Sequence, residues 1–201
     1  MTDMIFGTPK IIKMENPVID GLTYIDNYIT KDYQDELFKT IDKNEWDCSL
    51  KRRVQQYGYK YSYKSSVSMW RSNIDNYLGE LPEFLKELSI KLVNDNYFSV
   101  VPEQVIINEY LPGQGIANHI DCVPCFGDKI ASISLGCDVV MDFKNKKETK
   151  ELVLRTGSLL LIEGDARYKW THGIRPNKID IIDNQRIYRT RRISLTFRNI
   201  K

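Results

Sequence analysis

The run Arg192-Ile193-Ser194-Leu195-Thr196-Phe197-Arg198 alternates polar and apolar residues without a fault. On an extended strand, Ile193, Leu195 and Phe197 face one side and Arg192, Ser194, Thr196 and Arg198 the other. Two guanidiniums lining the interior of a rolled sheet are costly unless they meet a buried anion, and a dicarboxylate ligand supplies one through bidentate hydrogen bonds. Upstream, Val105–Tyr110, Ile130–Leu135, Asp138–Phe143, Glu151–Leu154 and Leu159–Ile162 read as short strands broken by Gly, Pro and Asn/Asp clusters. Six or more such strands preceded by helices predict an α+β chain, a two-sheet roll with helices on one outer face.

Two helices are legible in the first half. Thr30 can cap one in which Tyr33, Leu37 and Ile41 recur every four residues, with Asp32 in the first turn where it suits the dipole. The second starts at Pro82, carries Leu81, Phe84, Leu85, Leu88 and Leu92 as its apolar stripe, and ends in Asn94-Asp95-Asn96. The Lys144–Lys150 run reads as an exposed hairpin loop. With 201 residues, 42% of them apolar, the chain has the size and core content of one domain. Its longest apolar run, Leu159–Ile162, is far short of the ~18 residues that span a bilayer, so no membrane partner is expected. Met1–Lys10 resembles no targeting peptide, and four cysteines without a framework spacing predict reduced thiols in an intracellular protein, cytoplasmic or nuclear.

The net charge of +2 is uninformative, but its distribution is not. From Cys48 to Ile74 no acid occurs, whereas Lys51, Arg52, Arg53, Lys60, Lys64 and Arg71 supply six cations. In the same stretch Tyr57, Tyr59, Tyr61 and Tyr63 recur at a period of two, which on one strand would align four rings. Cations interleaved with aromatics suit a single-stranded or flipped-out nucleic acid; a solvated hairpin whose tyrosines pack on the core uses the same residues.

The chain has two histidines. His119-Ile120-Asp121 sets an imidazole and a carboxylate two residues apart, on the same face if the segment is a strand, and His172 follows in Trp170-Thr171-His172-Gly173. Two imidazoles and a carboxylate make the facial triad of non-haem Fe(II) oxygenases. Asn108 and Tyr110 share a strand face a few residues ahead and could donate to the same ligand. Alternatively, HxD is a chance tripeptide, or Cys122-Val123-Pro124-Cys125 joins the two histidines in a zinc site of a non-enzymatic RNA-binding module.

Taken together, Asn108-x-Tyr110-x-Pro112-Gly113, His119-x-Asp121, Ser132-Ile133-Ser134-Leu135-Gly136, His172-Gly173-Ile174, Arg192-x5-Arg198 and the closing Thr196-Phe197-Arg198 resemble, in order, the AlkB family of Fe(II)/2-oxoglutarate-dependent dioxygenases. The resemblance implies a double-stranded β-helix, or jelly roll, using Fe(II), 2-oxoglutarate and O2. It implies His119, Asp121 and His172 as metal ligands, Arg192 on the distal carboxylate of 2-oxoglutarate, and Asn108, Tyr110 and Arg198 beside the co-substrate. It divides the single domain into helices and a basic-aromatic nucleotide-recognition lid over about 1–100 and a catalytic core over about 101–201. Leu50-Lys51-Arg52-Arg53-Val54 through Tyr57-Gly58-Tyr59, and Arg167-Tyr168-Lys169-Trp170, are similar to the branch that hydroxylates modified wobble uridines in tRNA, which implies Arg52, Arg53, Tyr57, Tyr59, Tyr61 and Arg167 as substrate contacts. Oxidative demethylation of N-alkylated DNA or RNA bases is the alternative, but Val123 stands where the DNA-repair archetype carries a base-contacting Asp. An anticodon loop already displays its bases, which favours RNA over a duplex. The tRNA branch is usually fused to an RNA-recognition module and a methyltransferase domain; no glycine-rich cofactor loop or RNP-like motif occurs in this sequence, and a methyltransferase partner could act in trans.

Overall fold

The computed structural model describes residues 19–62 and 76–201. Two antiparallel sheets face one another as the expected jelly roll. The larger is built from β1 (Leu22–Ile25), β2 (Val54–Tyr57), β5 (Gln104–Tyr110), β7 (Phe126–Leu135), β10 (Leu159–Ile162) and β14 (Arg192–Ile200), in the order β1-β10-β7-β14-β5-β2. The smaller joins β6 (Ile116–His119), β8 (Val139–Lys144), β9 (Thr149–Leu154) and β11 (Thr171–Ile174) in the order β6-β11-β8-β9. Two hairpin-like pairs, β3 (Tyr59–Lys60) with β4 (Asn76–Tyr77) and β12 (Ile179–Ile182) with β13 (Gln185–Tyr188), lie outside them.

The alternation of β14 is realised as written. Ile193, Leu195 and Phe197 join Val105, Ile107, Ala131, Ile133, Leu135, Leu159 and Leu161 in one core layer, completed by helix α1 (Lys31–Asp42) through Tyr33, Leu37 and Ile41 and by α2 (Glu83–Asn94) through Leu85, Leu88 and Leu92. Burial of these side chains, each worth about 1.5–3 kcal/mol, fixes both helices on the outer face of the large sheet. Thr30 caps α1 by accepting from the Tyr33 N–H, and Pro82 occupies the N-cap of α2. The opposite face of the sheet gives Ile130, Leu160 and Ile162 to a second layer with Val139, Met141, Phe143, Leu152, Leu154 and Ile174 of the small sheet. The Lys144–Lys150 run is the β8–β9 turn, closed by an Asn145 N–H to Glu148 O bond of 3.1 Å.

Two expectations are corrected. The tyrosine repeat does not lie on one strand: Gly58, at φ +74, ends β2, and a Cβ there would sit 1.8 Å from Glu103 O. Tyr57 therefore belongs to the large sheet and Tyr59 to the small β3–β4 pair, while Tyr63, Lys64 and Arg71 lie outside the described residues. The thiols are not all reduced either. Cys122 and Cys125 are joined in a disulfide, because the turn after Asp121 brings their Cα atoms to 5.2 Å; Cys48 and Cys137 are free. No helix among the described residues is long and apolar enough to cross a membrane.

Candidate active site

Between the two sheets lies a cavity of about 930 Å³ into which the polar face of β14 projects. On one wall His119 ends β6 and is paired in register with His172 of β11, so that the ring centroids lie 4.5 Å apart. Close approach of these strands depends on Gly173, where a Cβ would meet Asn118 N at 2.8 Å. Asp121 is not on the strand that carries His119: β6 stops at His119, and the carboxylate reaches the same point from the following loop. One donor atom from each of His119, Asp121 and His172 falls within 4.8 Å of the others.

The donors are poised for a cation. His119 Nδ1 lies 2.8 Å from Ala117 O and donates to it, which orients the ring with Nε2 on the far side. His172 Nε2 lies 3.6 Å from Asp121 Oδ2, while Arg198 Nη2 donates to the other carboxylate oxygen, Oδ1, at 2.7 Å. Burial works to raise the Asp121 carboxyl, but Arg198, then His172, His119 and Arg167, outweigh it and hold the group at about 2. Burial pushes His172 down to about 4 in spite of Asp121, so its ring is neutral at physiological pH. Two imidazole nitrogens and one carboxylate oxygen fit a ferrous ion in donor type and number. They do not fit the sulfur-ligated zinc alternative, since Cys122 and Cys125 are bonded to each other and neither belongs to the group.

Arg192 enters the cavity from the start of β14, opposite Tyr110 in register. Its guanidinium is 2% exposed, lies 5.4 Å from the Tyr110 ring centroid and donates Nη2 to Ser134 Oγ at 2.9 Å. Its Nε has no hydrogen-bond partner among the described residues, and burial lowers its affinity for a proton. A buried cation facing neutral groups is the feature expected of a receptor for an external carboxylate, and 2-oxoglutarate fits it. Asn108 and Tyr110 line the same cavity. Arg198 is tied to Asp121 Oδ1 and, at 3.2 Å, to Gln104 Oε1, so it holds the Asp121 carboxylate directly.

The residues expected to touch substrate separate. Lys51, Arg52 and Tyr61 line the cavity; Arg52 donates Nε to Asn108 Oδ1 at 2.9 Å, and the Tyr61 ring lies 5.5 Å from that of Phe126. Tyr59 pairs with Tyr77 at 5.1 Å and lies off the cavity wall. Three others have protein partners. Tyr57 packs edge-on against Phe84, a ring that completes the helix-side core. Arg53 is committed to Glu109, whose carboxylate also accepts from Arg191 Nε at 2.5 Å. Arg167 is fully buried and donates to backbone carbonyls behind Asp121. Sequence reasoning missed Gln104 and Ser134, whose contacts with the arginines span 94 and 58 residues.

Against known proteins, the 2OG-Fe(II) oxygenase superfamily profile matches residues 21–198. Uncharacterized protein L905 of Acanthamoeba polyphaga mimivirus is 36% identical over 185 residues, covering 90% of this chain and 86% of that protein. The tRNA (carboxymethyluridine(34)-5-O)-methyltransferase alkbh8 of Xenopus tropicalis is 37% identical over 173 residues, covering 81% of this chain but 26% of its own length. In fold, the structure of OsALKBH1 superposes with a TM-score of 0.65 at 16% identity, covering 92% of this chain and all of that one.

Proposed function

The chain belongs to the AlkB family within the 2OG-Fe(II) oxygenase superfamily and is a 2-oxoglutarate- and Fe(II)-dependent dioxygenase, and from that premise we propose that it hydroxylates the side chain of a modified wobble uridine in tRNA. The observation that carries the reading is the position of Lys51, Arg52 and Tyr61, which bring the basic-aromatic segment to the wall of the cavity that holds His119, Asp121 and His172. Cations there suit the phosphates, and a tyrosine suits a base displayed in a loop. Similarity over four-fifths of this chain to a relative named for carboxymethyluridine in tRNA supports the same substrate. The chain spans about a quarter of that relative's length.

Ferrous iron with 2-oxoglutarate and O2 supplies the two-electron oxidation of a substrate C–H bond. The protein's own residues have the quieter tasks. His119, Asp121 and His172 would hold the metal on one side, Arg198 keeps one Asp121 oxygen occupied so that the other is presented, and Arg192 would orient the co-substrate by its distal carboxylate. Ile130, Met141, Leu160 and Ile162 give the interior an apolar lining. None of these side chains needs to exchange a proton with substrate.

The test is incubation with Fe(II), 2-oxoglutarate and tRNA, followed by mass analysis of nucleosides. A hydroxylated uridine derivative is expected. Loss of a methyl group from an N-alkylated base instead would establish the demethylase reading, and succinate formation with neither product would reject both.

A further inference from the structure

Of the three metal-binding side chains, two are fixed by sheet structure and one is not. His119 and His172 face each other in a hydrogen-bonded ladder, whereas Asp121 lies between the end of β6 at His119 and the start of β7 at Phe126. Its loop must be held some other way. The short helix α3 (Gly164–Tyr168), which leads into β11 and His172, places Arg167 against the back of that loop. The guanidinium is buried, at 1% exposure, and reaches three backbone carbonyls: Asp121 O through Nη1 at 2.9 Å, Cys122 O through Nη2 at 3.4 Å and Gly127 O through Nε at 3.4 Å. The next residue, Tyr168, donates its hydroxyl to Asp128 at 2.7 Å, so α3 also grips the start of β7, into which the loop runs.

Three carbonyls diverging around one point call for a rigid fork of N–H donors, which among side chains only arginine provides; a lysine presents a point charge on a flexible stem. No acidic side chain pairs with Arg167 among the ion pairs of the described residues, and the three hydrogen bonds it makes there all go to the backbone.

We propose that Arg167 is a positioning residue that fixes the backbone of Asp121 and thereby sets the affinity of the site for its metal. The inference rests on His119, Asp121 and His172 being the ligands and is independent of the nucleic-acid substrate. Groups that orient metal ligands from behind typically change metal affinity about 10–100-fold when removed.

The experiment is titration of the full chain with Mn(II), read by calorimetry or by loss of the free-ion electron paramagnetic resonance signal, with melting of the metal-free proteins alongside. Wild type is expected to bind one ion and Asp121→Ala to lose it. Arg167→Met should bind about 10–100-fold more weakly. Arg167→Lys, able to satisfy one carbonyl, should fall between and carries the test if the Met variant does not fold. An Arg167→Lys protein that melts lower but binds Mn(II) within twofold of wild type shows a merely structural role and overturns the proposal. An Asp121→Ala protein that binds as wild type does overturns the ligand assignment instead, and the inference with it.

Discussion

Replacing Arg192 with methionine should stabilise the protein while disabling it. The guanidinium is buried, has an unpartnered Nε, and gains only one hydrogen bond to Ser134 and the face of Tyr110. Burying a charge costs several kcal/mol after relaxation. Against this stand about 1.5–3 kcal/mol for a charge-assisted hydrogen bond and ~1 kcal/mol for the ring. An unbranched apolar side chain of similar length removes all three contributions and adds apolar burial, leaving roughly 1–2 kcal/mol in its favour. In a domain of this size that is a rise in melting midpoint of about 2–8 °C. The same substitution strands the distal carboxylate of 2-oxoglutarate in an apolar pocket, at about 3–5 kcal/mol, or at least a hundredfold in affinity. The assay is thermal melting with Mn(II), with and without 2-oxoglutarate. Wild type should rise with co-substrate concentration as mass action requires, and Arg192→Met should start higher and stay flat. A variant that melts below wild type, or that keeps the wild-type response, refutes the reasoning.

Glu109 should matter through acid stability. Burial would raise its carboxyl, but Arg53 and Arg191 lower it below the 4.5 of a free group; a depressed folded value contributes stability that is complete above the unfolded value and lost as pH falls through the folded one. Glu109→Gln should therefore cost about 2–3 kcal/mol at neutral pH and flatten the decline below about 4.5, measured by denaturation across pH; a loss equal at every pH would argue against ionised pairing. Arg53→Ala should act mainly on that stability, whereas Tyr61→Ala should weaken tRNA binding several-fold and leave substrate-independent decarboxylation of 2-oxoglutarate unchanged, checked by filter binding and succinate release.

What could be read from the sequence was what is local. The caps and stripes of α1 and α2, the parity of β14 and the HxD spacing all depend on neighbours within a few residues. The tyrosine repeat misled because period-two reasoning assumes a continuous strand, and Gly58 breaks it. The resemblance implies Arg53 and Arg167 as substrate contacts, and their protein partners, 56 and 46 residues away in the sequence, are invisible to local reading. The β12–β13 hairpin turns on Asp183-Asn184, both at positive φ (51° and 61°) and both of types that tolerate the left-handed conformation such a turn needs, but the pair lacks the glycine of the strongest hairpin signal.

The parity of β14 also partitions the tolerance of the chain to change. Substitutions at Ile193, Leu195 or Phe197 are felt by α1 and α2, those at Arg192, Ser194 or Arg198 by the cavity, and neither set needs the consent of the other. A deletion or insertion of one residue within 193–197 has no such compartment. It would reverse the alternation on one side of the change, turning one of the two guanidiniums toward the helices and apolar side chains toward the cavity, forfeiting support and chemistry in a single step.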